Sequence, residues 1–431
     1  MVDPARQAAY ETIAAVHRDD AYANLALPQI LRELRLHGRD AAFATELTYG
    51  TLRWSGTLDA IIAVAADRDV ARIDPPARDA LRLGAYQLLH TRVAAHAAVA
   101  STVDLVRAVA GPGPTGFANA VLRRIEATPL DGWIAEVAPG RDKDPLGYLA
   151  VAYAHPLWIV RAFAEALGGD ETEVEALLVA DNTPAPVHLC ARPGRVDRDA
   201  LAHEVGGEPG KYSPFAVYLP GGAPGDLAAI VDGRAHVQDE GSQVVALALA
   251  DAPLDGPDER WLDLCAGPGG KAALLGALAA QRGAQVTAVE VAPHRAALVE
   301  QAVRGLPVTV RTTDGREIED TGFDRVLVDA PCTGLGALRR RPEARWRRQP
   351  SDLPPLTRLQ RELLTAAIRA VRPGGLIGYV TCSPHVVETR VTVDEAIRRS
   401  PYAVEKVAER QLWPHREGTD AMYLALLRRA L

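Results

Sequence analysis

Two of the four cysteines stand in motifs that suit covalent chemistry. Cys332 comes shortly after an apolar run that ends in Asp329, and Cys382 follows a second apolar run, directly before a serine and a proline. A buried cysteine is ordinarily an inert small hydrophobe, and we interpret Cys190 and Cys265 in that way. Cys332 and Cys382 differ because each follows the end of a predicted strand and has polar neighbours.

A thiolate in such a position can attack an electron-poor ring carbon. If it adds to C6 of a cytosine, C5 becomes electron-rich enough to attack the methyl group of a sulfonium donor. The reaction also needs an acid or hydrogen-bond partner near N3, for which Asp329 is suitably close in sequence, and a base that removes the C5 proton. A second cysteine can help in that last step. The spacing alone does not say which cysteine attacks.

The segment from Trp261 to Lys271 predicts a strand, a glycine-rich turn and a helix that would approach a ligand closely. The next predicted strand ends in Glu290, where a carboxylate can accept hydrogen bonds from ribose hydroxyls. Asp314 follows the third strand and could accept from an adenine amine. Three such features in order predict a nucleoside cofactor. The loop lacks the glycine pattern that binds a dinucleotide, which favours S-adenosylmethionine over NAD.

The elements that must position these residues begin at about residue 236, where predicted strands alternate with helices. Such alternation indicates a parallel sheet covered on both faces, with ligands at the carboxyl ends of its strands. The residues singled out above fall at such ends. Strands are predicted at 260–264, 285–290, 307–311, 325–329 and 376–381, and helices at 271–280 and 359–371.

The rest of the chain predicts two further domains. Apolar residues at helical spacing and no alternating pattern indicate an all-α domain over 1–130. A small α+β module is predicted over 145–235, with strands at 187–192 and 216–219. The α/β domain then occupies 236–431.

Composition excludes several classes of protein. The net charge of -7 argues against a uniformly basic surface, although a local basic groove is compatible with it. The cysteines lack the paired spacing of a zinc site, so we expect no metal. No signal peptide and no membrane-spanning run is recognisable, which predicts a cytoplasmic protein without a membrane partner.

One basic cluster suits RNA. It follows the Cys332 loop directly and carries an aromatic residue, so we expect it to border the same pocket. Arginines bind phosphates and stack on bases, and an unpaired base can be turned into such a pocket. The residues predicted to bind RNA are Arg339, Arg340, Arg341, Arg345 and Trp346.

Nearly the whole chain resembles the Sun family of RNA cytosine-C5 methyltransferases, and most closely its bacterial RsmB (Sun/Fmu) branch. The glycine-rich loop, the two cysteine motifs and the segment 237–243 carry the resemblance in the α/β domain, which implies a Rossmann-like class I methyltransferase fold. The segments 43–53 and 117–125 are similar to the antitermination factor NusB, an RNA-binding helical protein. NusB-like helices before this catalytic domain are typical of the RsmB branch.

The resemblance implies a role for each site residue. Cys382 is the nucleophile and Cys332 assists product release, with Asp329 and Lys271 beside them. Glu290 holds the ribose of S-adenosylmethionine, Asp314 lies near its adenine, and Arg295 and Asp329 also belong to the cofactor site. The loop that binds the cofactor comprises Cys265, Ala266, Gly267, Pro268, Gly269, Gly270 and Lys271.

The resemblance also implies a substrate, 16S ribosomal RNA, either as free RNA or in a small-subunit assembly intermediate, and a monomeric enzyme. Two alternatives remain open. The substrate could be tRNA, or the chain could be a non-catalytic RNA-binding factor in ribosome assembly. A dehydrogenase is a distant third, because it would leave the paired cysteines without a role. Where the family has an asparagine after the glutamate equivalent to Glu388, this chain has Thr389.

Overall fold

The structure is a computed structural model that describes residues 2–222 and 224–431. The chain forms two units, each made of two separate stretches of sequence. Unit 1 comprises Met1–Asn182 and Leu338–Arg347, and unit 2 comprises Thr183–Ala337 and Arg348–Leu431. The short segment 338–347 therefore packs with the first unit, although it follows the Cys332 loop in sequence. Each unit is described by itself below.

Unit 1 is built from helices, as predicted for residues 1–130. Its core includes Leu47, Ile61 and Leu81, none of which has exposed surface. Gly50 lets one helix approach the Tyr86 ring, because an added Cβ would lie 2.0 Å from the ring carbon Cζ. The helices of both units are α1 Pro4–Arg18, α2 Ala23–Glu33, α3 Gly38–Ala66, α4 Pro75–His90, α5 Ala95–Ala110, α6 Thr115–Glu126, α7 Leu130–Val137, α8 Pro145–Ala152, α9 Leu157–Ala166, α10 Glu171–Asn182, α11 Arg198–Val205, α12 Ala228–Val231, α13 Glu240–Ala250, α14 Gly270–Arg282, α15 Pro293–Ala302, α16 Ala344–Arg347, α17 Leu353–Ala370, α18 Arg390–Arg399 and α19 Pro414–Glu417.

Unit 2 contains two sheets. The smaller sheet has four antiparallel strands in the order β2-β3-β1-β4, and the larger has seven strands in the order β10-β11-β9-β8-β5-β6-β7. The strands are β1 Val187–Ala191, β2 Glu208–Pro209, β3 Ala216–Leu219, β4 Ala235–Val237, β5 Arg260–Asp263, β6 Gln285–Val289, β7 Val308–Arg311, β8 Phe323–Asp329, β9 Val371–Thr381, β10 Val404–Gln411 and β11 Tyr423–Arg429.

The module predicted over 145–235 does not form one body. Its helices α8–α10 belong to unit 1, whereas its strands belong to unit 2. The reason lies in the packing of each half. Phe163 and Leu177 of the helices are buried in unit 1, while Leu189 and Val217 of the strands pack in a hydrophobic cluster of unit 2. A boundary drawn from composition alone cannot see which core each half joins.

The larger sheet confirms the predicted α/β fold and adds an antiparallel pair. Strands β5 to β9 are mutually parallel, whereas β11 is antiparallel to β9 and β10 is antiparallel to β11. The sequence did not predict β10, because most of its residues are exposed and show no alternation. Helix α17 begins earlier than predicted, since Pro354 and Pro355 lie in its first turn, where proline is tolerated.

The register of the parallel strands brings three loops to the same edge of the sheet. Asp263 at the end of β5 lies opposite Leu327 of β8, and Asp329 at the end of β8 lies opposite Val380 of β9. The loops after these strands carry the glycine-rich turn and both cysteine motifs. Within residues 2–222 and 224–431, no helix is long and apolar enough to cross a membrane.

Candidate active site

The two cysteines meet at the carboxyl ends of β8 and β9. Their Sγ atoms are 3.5 Å apart, and both residues are partly buried. The backbone N–H of Gly336, in the Cys332 loop, donates to the carbonyl oxygen of Cys382 at 2.9 Å and so ties the two loops together. The structure thus places both thiols in one site, as their positions after neighbouring strands predict.

An ion pair lies beside the cysteines. Lys271 Nζ is 2.8 Å from Asp329 Oδ2, which brings the first turn of α14 to the end of β8. Burial would lower the pKa of Lys271, but the negative charges of Asp329, Cys382 and Asp263 raise it above its usual value. Lys271 therefore stays protonated, and its positive charge favours the thiolate form of Cys382.

The electrostatic surroundings of Cys332 are different. Its hydrogen bond to Cys382, its burial and the negative charges of Cys382 and Glu388 raise the pKa of the Cys332 thiol well above its usual value. Cys332 is therefore a thiol when Cys382 carries the negative charge. The two thiols have different charged neighbours, since Glu388 contributes a negative charge at Cys332 and Lys271 a positive charge at Cys382.

The glycine-rich loop packs tightly against Glu290. The Gly267 N–H donates to Glu290 Oε2 at 3.1 Å, and an added Cβ on Gly267 would lie 2.2 Å from the same oxygen. Gly269, with a φ of 114°, starts α14 in a conformation that a side chain would disfavour. Arg295 donates to the Gly267 carbonyl at 2.5 Å. The predicted residues Glu290 and Arg295 therefore brace the loop.

Asp314 lies at the end of the next strand, where its side chain caps a short 3₁₀ turn. It accepts from the Arg316 N–H at 2.9 Å and from the Arg316 guanidinium at 2.6 Å. The Arg316 side chain lowers the pKa of Asp314, chiefly through this hydrogen bonding. Asp314 is thus an ionised acceptor that is held in a fixed orientation.

Two buried polar groups lie near the loop. Asp263 is fully buried and interacts with the Cys265 backbone N–H, and its burial together with the charge of Asp329 raises its pKa to about 7. Gln238 is 7 % exposed and lies against Gly270, and its Nε2 atom has no hydrogen-bond partner within the described part of the chain. A buried amide without a partner beside a glycine-rich loop fits a site that binds a polar cofactor.

No role in the site was predicted from the sequence for Asp263, Gln238 or Glu388. A signal for Asp263 was available, because it is the one charged residue in the otherwise apolar segment 261–266. Glu388 is fully buried and contacts the Cys332 loop through the backbone N–H of Thr333. Nothing in the spacing of Glu388 indicated that contact, since 55 residues separate it from Thr333.

The predicted RNA-binding cluster is mostly packed within unit 1. Arg345 has no exposed surface and donates to the carbonyls of Arg53, Ala154 and Asp181 and to the side chain of Asn182. Burial lowers the pKa of Arg345 to about 9. The prediction that Arg345 binds RNA is therefore wrong, because its guanidinium is used by buried backbone carbonyls.

Trp346 and Arg339 also pack within unit 1. Trp346 donates from Nε1 to the Leu52 carbonyl at 3.0 Å, and its ring fills the space beside Gly56. Arg339 is only 6 % exposed. Arg340 is half-buried and Arg341 is exposed, and contact with RNA stays a prediction for these two. Across residues 2–222 and 224–431, no group of histidines, cysteines and carboxylates could hold a metal ion.

Two family models match the chain. The model described as 16S rRNA methyltransferase RsmB/F matches residues 248–428, and the model of the NusB family matches residues 3–127. These two matches correspond to the large sheet of unit 2 and to the first helices of unit 1.

Similar proteins span the full chain. A Mycobacterium tuberculosis (strain H37Rv) protein named as a methyltransferase is 57% identical, over 99% of this chain and 97% of its own. The ribosomal RNA small subunit methyltransferase B of Pseudomonas putida is 32% identical, over 98% of each chain. The crystal structure of PH0851 has the same fold, with a TM-score of 0.82, 24% identity and 99% coverage of both chains.

Proposed function

We propose that this chain, which belongs to the RsmB/F family of S-adenosylmethionine-dependent RNA methyltransferases, transfers a methyl group to C5 of a cytosine in 16S ribosomal RNA. The observation that carries the proposed chemistry is the pair of thiols 3.5 Å apart, next to a protonated lysine. A methyltransferase that acts on an oxygen or on an amine needs no thiol. Two thiols at one site suit a carbon that must first be activated by a nucleophile.

The cofactor has a place in this chain. The glycine-rich loop 265–271, Glu290, Asp314 and the buried Asp263 would hold S-adenosylmethionine, with Arg295 supporting the loop. The bound cofactor supplies an electrophilic methyl group on a sulfonium. The chain's contribution is to hold the target ring, to activate its C5 and to remove a proton from it.

Cys382 is the proposed nucleophile. Its thiolate forms a bond to C6 of the cytosine, while the electron pair of the C5–C6 double bond shifts into the ring towards N3. Asp329 is hydrogen-bonded to the Lys271 ammonium at 2.8 Å, and this pair is proposed to face the N3 side of the base, where the ammonium charge and the proton shared with Asp329 offset the negative charge that accumulates. The activated C5 then takes the methyl group. The support for this order is the position of Lys271, whose charge stabilises the thiolate of Cys382.

Cys332 is the proposed base for the last step. The largest cause that keeps it protonated is its hydrogen bond to Cys382. Once Cys382 is bonded to carbon, its sulfur no longer accepts this hydrogen bond as a thiolate. The pKa of Cys332 then falls, and its proton can pass to solvent. The Cys332 thiolate then takes the C5 proton, the C5–H electron pair restores the double bond, and the Cys382 thiolate leaves. The negative charge thus passes from one cysteine to the other.

The substrate assignment rests on the relatives. The match to the NusB family over residues 3–127 and the name of the Pseudomonas putida relative support ribosomal RNA over tRNA. The proposed site of action is the cytoplasm, on free 16S RNA or on a small-subunit assembly intermediate. The chain is proposed to act as a monomer.

The test is bisulfite sequencing of 16S ribosomal RNA from the host with and without the gene. We expect one protected cytosine to be lost in the deletion strain, restored by the wild-type gene and not restored by Cys382→Ala. An unchanged 16S pattern would contradict the assignment of the substrate, and the same experiment on tRNA would then test the alternative. Restoration by Cys382→Ala would contradict the assigned nucleophile.

A further inference from the structure

We propose that Glu388 and Gln360 are positioning residues that fix the two cysteine loops and make the two thiols chemically unequal. The inference deepens the proposed function and rests on it for the roles of the cysteines. Both residues have no exposed surface, and no role in the site was predicted for either of them. They lie behind the cysteines, so they act through these residues and not by touching the RNA base.

Glu388 holds the residue that follows Cys332. Its Oε1 accepts from the Thr333 backbone N–H at 2.8 Å, and its Oε2 accepts from the Thr333 hydroxyl. Glu388 is itself fixed, because its carbonyl accepts from the buried Tyr379 hydroxyl at 2.8 Å and its N–H donates to His385 at 2.9 Å. One carboxylate therefore sets both the backbone and the side chain of Thr333.

The same carboxylate reaches the second cysteine loop through a hydroxyl chain. The Thr333 hydroxyl has a single hydrogen, which it donates to Glu388, so it must accept from the Ser383 hydroxyl at 3.1 Å. Ser383 Oγ in turn accepts from the His385 N–H at 3.2 Å. The direction of each of these bonds thus follows from the carboxylate of Glu388 as the acceptor. Because Thr333 is adjacent to Cys332 and Ser383 to Cys382, the hydrogen bonds tie together the two loops that carry the thiols.

Gln360 completes the arrangement from helix α17. Its Nε2 donates to the Pro331 carbonyl at 2.9 Å and to Glu388 Oε1 at 3.1 Å. Two acceptors at one nitrogen determine which end of the amide faces the loop. Pro331 precedes Cys332 and Thr333 follows it, so the backbone is held on both sides of the thiol.

The charge of Glu388 also distinguishes the cysteines. Its negative charge contributes to the raised pKa of Cys332, whereas the positive Lys271 interacts with Cys382. The titratable groups that face Cys332 are Cys382, Glu388 and Tyr379. A negative charge behind one thiol and a positive charge beside the other would direct the thiolate to Cys382 before the RNA binds.

The test is the substitution Glu388→Gln, which keeps the size of the side chain but removes its charge and one acceptor. We expect the ratio of iodoacetamide labelling at Cys332 to that at Cys382, read by peptide mass spectrometry, to rise on the order of tenfold near neutral pH. We expect kcat to fall on the order of tenfold or more, with the KM for RNA little changed. A merely structural role would not change which thiol reacts.

The matched control is Glu395→Gln, which removes the same charge from helix α18, where Glu395 pairs with Arg361 at 3.2 Å. Its ratio of iodoacetamide labelling and its kcat should equal those of the wild type. If Glu388→Gln does not fold, Thr333→Ser and Thr333→Val test the hydrogen bonds of the Thr333 hydroxyl while Glu388 keeps its charge. The serine variant keeps the hydroxyl and should behave like the wild type, whereas the valine variant should lose turnover.

Two results would overturn the inference: a labelling ratio and a kcat in Glu388→Gln within twofold of the wild type, or equal turnover in Thr333→Ser and Thr333→Val. The labelling needs neither RNA nor cofactor. Its outcome is therefore independent of whether 16S RNA is the substrate, and the two proposals can fail separately.

Discussion

Two neighbouring segments of the chain use their polar side chains in opposite ways. In the strand-end loops of unit 2, Lys271, Asp329 and the two cysteines keep their reactive atoms at the edge of the sheet. In the segment 338–347, which follows directly, Arg345 and Trp346 donate to backbone carbonyls inside unit 1. The first set is arranged for chemistry and the second for packing.

Local composition does not reveal whether a charged residue serves chemistry or packing. A basic cluster with an aromatic residue has the composition of an RNA-binding loop. The same arginine and tryptophan side chains, however, carry the N–H donors that buried backbone carbonyls require. Only the fold shows how many of those donors are already used. We therefore expect substitutions in the loops to reduce activity at nearly constant stability, and substitutions at 345 and 346 to do the reverse.

The largest effect on activity in this comparison is expected for Lys271→Met. Removing the cation takes away the charge that favours the Cys382 thiolate, and kcat should fall on the order of a hundredfold or more. Part of the loss should be recovered at higher pH, because the thiolate fraction rises there without help from the lysine. The measurement is single-turnover methylation across a pH series.

The same substitution at the exposed Lys143 is the control, and we expect it to leave the rate unchanged. If Lys271→Met retained the wild-type rate, a group other than Lys271 would have to stabilise the Cys382 thiolate. Its affinity for S-adenosylmethionine should be measured in parallel, because Lys271 also ends the cofactor loop.

A smaller effect, on stability, is expected for Arg345→Ala. The change leaves several buried carbonyls without a donor, and the free energy of unfolding should fall by about 3 kcal/mol. Urea denaturation measures this value. At a temperature where the variant is folded, its kcat should lie within about threefold of the wild type.

The exposed Arg341 provides the matched control in the same segment. We expect Arg341→Ala to change the free energy of unfolding by no more than about 0.5 kcal/mol. If the two substitutions lowered the free energy of unfolding equally, the buried Arg345 would contribute no more to stability than the exposed Arg341. The proposed difference between the loops of unit 2 and the segment 338–347 would then be wrong.

Much of the α/β domain could be predicted because its signals are local. Apolar runs marked β5 to β9 to within a few residues, and the rule that parallel strands end at one edge placed Cys332 and Cys382 together. What the sequence could not supply were the long-range contacts. Glu388 and Gln360 bind the Cys332 loop from separate elements, and β10 lacks the alternation that marks a strand.

The prediction of the domain boundaries was wrong for a related reason. The segment 338–347 and helices α8–α10 are separated in sequence but belong to the same unit. Composition changes along the chain at about 145 and 236, whereas the division between cores falls near 183. Hydrophobic residues on either side of that point look alike in sequence, and only packing assigns them to one core or the other.

The most direct test of the account asks which cysteine becomes bonded to RNA. Cys332→Ala should remove the base for the last step and accumulate a covalent protein–RNA adduct when substrate RNA and S-adenosylmethionine are present. We predict that the adduct survives denaturing electrophoresis and that mass spectrometry of the nuclease-treated protein maps it to Cys382. An adduct that maps elsewhere, or one that forms equally well in Cys382→Ala, would contradict the account.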